Sequence, residues 1–139
     1  MRADVTALQG GVMKHSSKTR KVMNDFVREH LDSSFRGHWD MIRLSRANTP
    51  AHNLRVCEVA ISLMEAGIPF MTEARLKCGT RPDIVVPDGF LPSGCYIEVL
   101  FSETEEDFFN KKADKLPASL RGKWVFIDAK APFEPKMLW

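Results

Sequence analysis

The sequence predicts an α/β protein: a small mixed central β-sheet flanked by helices. Three observations predict it. Residues 49–67 carry apolar positions at helical spacing between a capping threonine and a glycine. Three apolar runs then follow at short intervals up to residue 101, as hairpin-linked strands would. A charged helix separates the third run from a fourth, and that strand–helix–strand step permits a parallel crossover. With 139 residues the chain fits one domain with one ordinary core. Within it, residues 1–48 read as a helical, basic N-terminal extension and residues 49–139 as the core.

Residues 1–16 contain Gly10-Gly11 and few periodic apolar positions. A helix is expected from near Ser17 through "KTRKVMNDFVREHL", with Val22, Phe26, Val27 and Leu31 on one side. "GHWDMIRLSRA" reads as a short second helix. In "TPAHNLRVCEVAISLMEAG", Thr49 is a good N-cap and Pro50 suits the first turn. Leu54, Cys57, Ile61 and Met64 recur at helical spacing, and Gly67 stops the helix. "PFMTEARLK" then alternates Phe70, Thr72, Ala74 and Leu76 against Met71, Glu73, Arg75 and Lys77, as a half-buried strand does. "CGT" turns the chain, "RPDIVVP" is a second strand, and "DGFLPSG" is a turn-rich link. "CYIEVLF" is the third strand. "SETEEDFFNKKADKL" is a helix ended by Pro117, and "KWVFIDA" is the fourth strand. The tail, "KAPFEPKMLW", is irregular.

No apolar run approaches the roughly 20 residues of a membrane span, and the N-terminus lacks a signal peptide's apolar core. A cytoplasmic location is expected, with no membrane partner. Cys57, Cys78 and Cys95 lack zinc-knuckle spacing and read as reduced, packed thiols. The net charge of +2 is too small to imply a nucleic-acid partner by itself. Its distribution says more. Residues 1–50 hold nine Lys/Arg against five Asp/Glu, net +4, and residues 51–100 hold four against six, net −2. A basic arm beside an acidic, cation-collecting centre suits a phosphodiesterase.

Glu73, Asp83 and Glu98 are acids inside expected strands. Burying a lone charge is costly, so each needs a solvent face, a partner such as Arg75, Lys77 or Arg81, or a cation. Two carboxylates about 4 Å apart repel by about 4 kcal/mol at an effective dielectric of 20. Magnesium removes that penalty, needs only one or two carboxylates, and fills its shell with water and phosphate oxygens. Asp83 and Glu98 form the natural pair of ligands, with the backbone carbonyl of Val99 as a further oxygen.

"RPDIVV…YIEVL" resembles the PD-(D/E)xK phosphodiesterase superfamily, the restriction-endonuclease-like nucleases. Pro82-Asp83 matches the PD element. Glu98-Val99-Leu100 matches the (D/E)xK element except at its lysine. The resemblance covers about residues 49–128 and implies a restriction-endonuclease-like core, in the order α-β-β-β-α-β. It makes Asp83 and Glu98 ligands of Mg²⁺ or Mn²⁺. It adds Glu73 as a further acidic ligand, with Glu58 on the preceding helix as the rival.

In this superfamily the basic residue often migrates to the following helix, which here holds Lys111, Lys112 and Lys115. At about 100° per residue, Lys112 lies about 60° from Phe109 on the apolar face of Phe109, Ala113 and Leu116. Lys115 lies about 120° away and Lys111 about 160°. Lys112 is therefore the expected catalytic lysine, with Lys115 as its alternative. Its stem can lie along buried surface and return the ammonium to the sheet. Its role would be to stabilise the attacking hydroxide or the charge growing on phosphate. Leu100 would pack where the usual lysine stem sits. Ser102 and Glu105 form a capping box for the same helix.

His52 reads as a helix-surface or capping side chain, or as a contact to the scissile phosphate. Lys14, Lys18, Arg20 and Lys21 are the expected nucleic-acid contacts of the basic arm. The function so implied is a Mg²⁺-dependent endonuclease that hydrolyses DNA, RNA being the other polymer of the same chemistry. Structure-selective cutting of branched or junction DNA in recombination, repair or phage and mobile-element processing fits the small size. Members that cut two strands work as homodimers. The alternative is a catalytically inactive module with the same fold that binds nucleic acid or protein, and Leu100 is its main argument.

Overall fold

A computed structural model of the chain describes residues 15–34, 38–112 and 115–139. Helix α1 spans Ser17–His30 and α2 spans Pro50–Glu65. Strands β1 (Met71–Thr72), β2 (Ile84–Val85) and β3 (Tyr96–Leu100) follow, then helix α3 (Glu105–Lys111) and strand β4 (Trp124–Asp128). The four strands form one mixed sheet in the order β1-β2-β3-β4, with β1–β2 and β2–β3 antiparallel and β3–β4 parallel. The α-β-β-β-α-β order of elements is thus present from α2 onward. No helix among the described residues is long and apolar enough to cross a membrane.

Strand alternation puts successive β3 residues on opposite faces, and each face has its own core. Ile97 and Val99 pack with Val56, Val59, Ala60 and Leu63 of α2. Tyr96 and Leu100 pack with Phe26 of α1, Phe108 of α3, and Trp124. The sheet is therefore covered by α2 on one side and by α1 and α3 on the other. Glycine is required at Gly94, two residues before β3, because the Lys123 carbonyl occupies the space a side chain would take. That approach lets Cys95 N–H donate to Lys123 O at 2.9 Å and start the parallel ladder.

Three expectations change. The segment "GHWDMIRLSRA" is not helical where it is described, because its backbone groups bond to β1. Asp40 N–H donates to Phe70 O at 2.7 Å, and the Thr72 hydroxyl accepts from Arg43 N–H at 2.7 Å. Helix α2 keeps its cap, with Thr49 accepting from His52 N–H, and its stop at Gly67, φ 73°. It buries the opposite stripe, however. Val56, Val59, Ala60 and Leu63 face the sheet, whereas Leu54 and Ile61 are 65% and 47% exposed. Finally, β1 is two residues long, because Glu73 takes a left-handed conformation at φ 63° and ends the ladder. The alternation still continues past it, with Ala74 and Leu76 buried and Arg75 and Lys77 turned outward.

Candidate active site

The register collects the acids. Thr72 pairs with Ile84, and Ile84 with Ile97. One step further sets Glu73 opposite Asp83, and Asp83 opposite Glu98. The three acids thus form a row one step past the last paired residues of the β1–β2 and β2–β3 ladders, with Glu98 still paired to β4. They line a cleft of about 240 Å³ together with Ser45, Asn48, His52, Arg81 and Pro82.

Asp83 and Glu98 are held by backbone. Asp83 N–H donates to Glu98 Oε1 at 3.2 Å, and Val99 N–H donates to Asp83 Oδ2 at 2.7 Å. Burial, with the charge of Asp83 beside it, pushes the Glu98 carboxyl up to about 9. Metal-free, Glu98 therefore keeps its proton near neutrality. Lys112 acts against this, its positive charge favouring the Glu98 carboxylate.

His52 approaches Asp83 from the other layer. It lies four residues before Val56 and eleven before Leu63, on the buried stripe of α2. Its Nε2 stands 3.2 Å from Asp83 Oδ2, with both side chains about 15% exposed. The hydrogen bond to Asp83 raises the imidazole's pKa, against the opposing effect of burial. Its Nδ1 is buried without a hydrogen-bond partner among the described residues. Seen on the expected outer stripe, His52 would have been a surface residue; the true stripe makes it part of the site.

Glu73 lies in the cleft with its carboxylate 3.6 Å from Arg81 Nη1. A non-glycine residue at positive φ is uncommon and stores strain. Only Asp40 shares the feature among the described non-glycine residues. Arg81, Asn48 and Ser45 also line the cleft; the proximity of Arg81 to Pro82-Asp83 was the only sequence signal for any of them.

The lysines separate as the helical geometry ranks them, although the helix differs. Helix α3 ends at Lys111 with Lys112 as C-cap, short of Pro117, and its buried residue is Phe108 instead of Phe109. Ala113 lies outside the described residues. Lys112 is half-buried, with its ammonium 5.9 Å from the centre of the Phe108 ring. Lys115 is exposed, and Lys111 pairs with Glu103 at 2.8 Å. Leu100 is buried in the α1/α3 core.

The remaining expected residues lie outside the cleft or at its backbone. The α3 cap is Thr104 in a capping box with Asp107, two residues later than the Ser102–Glu105 box. Ser102 has no capping role here. Glu58 faces away from the cleft and pairs with Arg55 at 3.3 Å. Val99 contributes its N–H to Asp83. Lys18, Arg20 and Lys21 are exposed on α1, where Lys21 pairs with Asp25 at 2.9 Å. Lys14 lies outside the described residues.

Among the described residues no three His, Cys, Asp or Glu side chains converge to enclose a metal ion. Asp83 and Glu98 do supply two hard oxygen donors in a polar cleft, which fits Mg²⁺ with its retained waters. Compared with known protein families, characterised proteins and solved structures, the chain finds no match.

Proposed function

We propose that the protein is a divalent-cation-dependent phosphodiesterase that hydrolyses DNA, with a core of the restriction-endonuclease-like kind. The observation that carries this reading is the row Glu73–Asp83–Glu98, with the Lys112 charge acting on Glu98. A bound Mg²⁺ would lower the pKa of its water and neutralise phosphate. Asp83 and Glu98 would hold it, and Glu73 would add a carboxylate at the rim. The Val99 N–H and His52 orient the Asp83 carboxylate, so one oxygen is fixed before substrate arrives. Lys112 would offset negative charge at the phosphate from the α3 side. The half-buried Lys112, whose charge acts on Glu98, would take the part that Leu100 cannot.

A second reading is a binding module with the chemistry retired, favoured by Leu100. The apposition of Asp83 and Glu98 weighs against it, because a site that held no cation has no use for two carboxyls set side by side. The test is incubation with labelled linear, single-stranded, flapped and four-way DNA in Mg²⁺, Mn²⁺ or EDTA. Cutting in Mg²⁺ or Mn²⁺ that EDTA stops is the expected result. Binding without cutting, unchanged by EDTA, would favour the module.

A further inference from the structure

A second cleft, of about 430 Å³, lies at the carboxyl ends of β3 and β4, and the proposed chemistry does not use it. Its walls include Leu100, Phe101, Glu103, Phe126, Asp128 and Lys130. Open α/β sheets bind ligands outside the carboxyl ends of their strands, and the volume is within the range of small-ligand pockets.

Three features define an occupant. The first is position. Glu98 pairs with Phe126, and Leu100 with Asp128, so all four side chains share one face of the sheet. Leu100 is two residues beyond Glu98, about 7 Å along the strand. The cleft therefore opens within one nucleotide's reach of the proposed scissile phosphate. The second is the wall. Phe101 is 46% exposed, an aromatic ring left in water at the mouth of the cleft. The third is charge. Glu103 accepts from Lys111 Nζ at 2.8 Å, and Asp128 Oδ1 accepts from Lys130 N–H at 2.8 Å. Each carboxylate keeps free lone pairs. Carboxylates repel phosphate and accept hydrogen bonds from exocyclic amino groups.

We propose that this cleft holds one unpaired nucleobase of the substrate strand, beside the scissile phosphodiester, stacked on Phe101 with its amino edge facing Glu103 and Asp128. The inference rests on the phosphodiesterase reading and narrows it. The substrate is a strand with an unpaired base at the cut, as in a flap or an opened junction arm. Cytosine, adenine or guanine is favoured there over thymine, which presents a carbonyl and a methyl group and no amino group.

The test is equilibrium binding of labelled flapped oligonucleotides in Ca²⁺, with an abasic nucleotide placed at each position in turn. Wild type, Phe101→Ala and Phe101→Leu are compared. Stacking of one base predicts a loss of between about 5- and 150-fold in affinity at one abasic position. Both variants lose a similar factor and are indifferent to the abasic nucleotide there. Thymine at that position binds more weakly than cytosine. Phe101 is exposed, so these variants keep the fold. Affinities unchanged by the scan and by both variants would overturn the pocket, as would no binding of any oligonucleotide.

Cutting of the same oligonucleotides in Mg²⁺ reports on the chemistry separately. Cutting with position-blind binding keeps the phosphodiesterase and rejects the pocket. Base-sensitive binding without cutting does the reverse.

Discussion

Asp83 and Glu98 are tied across the junction of β2 and β3, the Asp83 N–H donating to Glu98 Oε1 at 3.2 Å while the Asp83 carboxylate takes the Val99 N–H at 2.7 Å. The two carboxyls cannot move apart without breaking these bonds, so their mutual repulsion is relieved by a proton or by a cation. That has a consequence for stability. The folded-state pKa of Glu98 is raised from 4.5 to about 9. A raised carboxyl pKa means that the folded state binds the proton more tightly than the unfolded state. Its contribution is fully present below about pH 4.5 and is lost as pH rises toward about 9. His52, also raised, acts with the same sign over the upper part of that window. In metal-free protein the unfolding free energy from urea titration should therefore fall between pH 5 and 9, by at most about 1.4 kcal/mol per pH unit for one proton, and the urea midpoint with it. Glu98→Gln should flatten the curve. Excess Mg²⁺ at pH 8 should raise the wild-type midpoint and leave that of Glu98→Gln unchanged.

Lys112→Ala should reduce the cutting rate by about 10²- to 10³-fold, the usual cost of one charge-stabilising donor. Lys111→Ala should stay within about twofold of wild type, because its ammonium is engaged by Glu103 on the surface. Lys112→Arg should recover part of the rate. Single-turnover cutting measures all three, with circular dichroism confirming the fold.

Glu73 has a cost that glycine would relieve. Its φ of 63° disfavours any side chain, and Glu73→Gly should stabilise the metal-free protein by about 1 kcal/mol. The exposed ion pair with Arg81 offsets little of this. The same variant should cut more slowly, since the row loses its third carboxylate. A rise in urea midpoint with a fall in rate is the expected pair of results.

Thr104 and Ser102 can be separated by thermal unfolding. Thr104→Ala removes the side-chain acceptor for Asp107 N–H and should cost about 1 kcal/mol. Ser102→Ala should change stability by less than about 0.5 kcal/mol.

Period and punctuation made much of the fold legible. Thr49-Pro50 and Gly67 bounded α2, and the runs around Ile84, Ile97 and Val125 marked β2, β3 and β4. What could not be read had a physical cause in each case. Helix α2 is apolar on two sides, so spacing alone could not choose between Leu54–Ile61 and Val56–Leu63. The segment before it gives its hydrogen bonds to β1, a tertiary choice that outweighs local propensity. Ser102 and Thr104 both precede an acid by three residues, and only the turn after Leu100 decides between them.

The acids of the site were legible because charge inside an apolar strand is conspicuous. The half-burial of Lys112 was legible from helical angles, even though the helix is shorter than its pattern. His52 was legible only as one of two alternatives, surface side chain or phosphate contact, because the choice depends on which face of α2 is buried.

The most direct measurement is single-turnover cutting of a flapped DNA strand in Mg²⁺ by wild type and by Asp83→Asn, with EDTA as control. Asp83→Asn keeps an acceptor for the Val99 N–H and removes only the charge. Wild type should cut, with EDTA abolishing the reaction, and Asp83→Asn should be at least about 10²-fold slower. Equal rates in the two proteins, or cutting that persists in EDTA, would contradict the proposed metal-dependent chemistry.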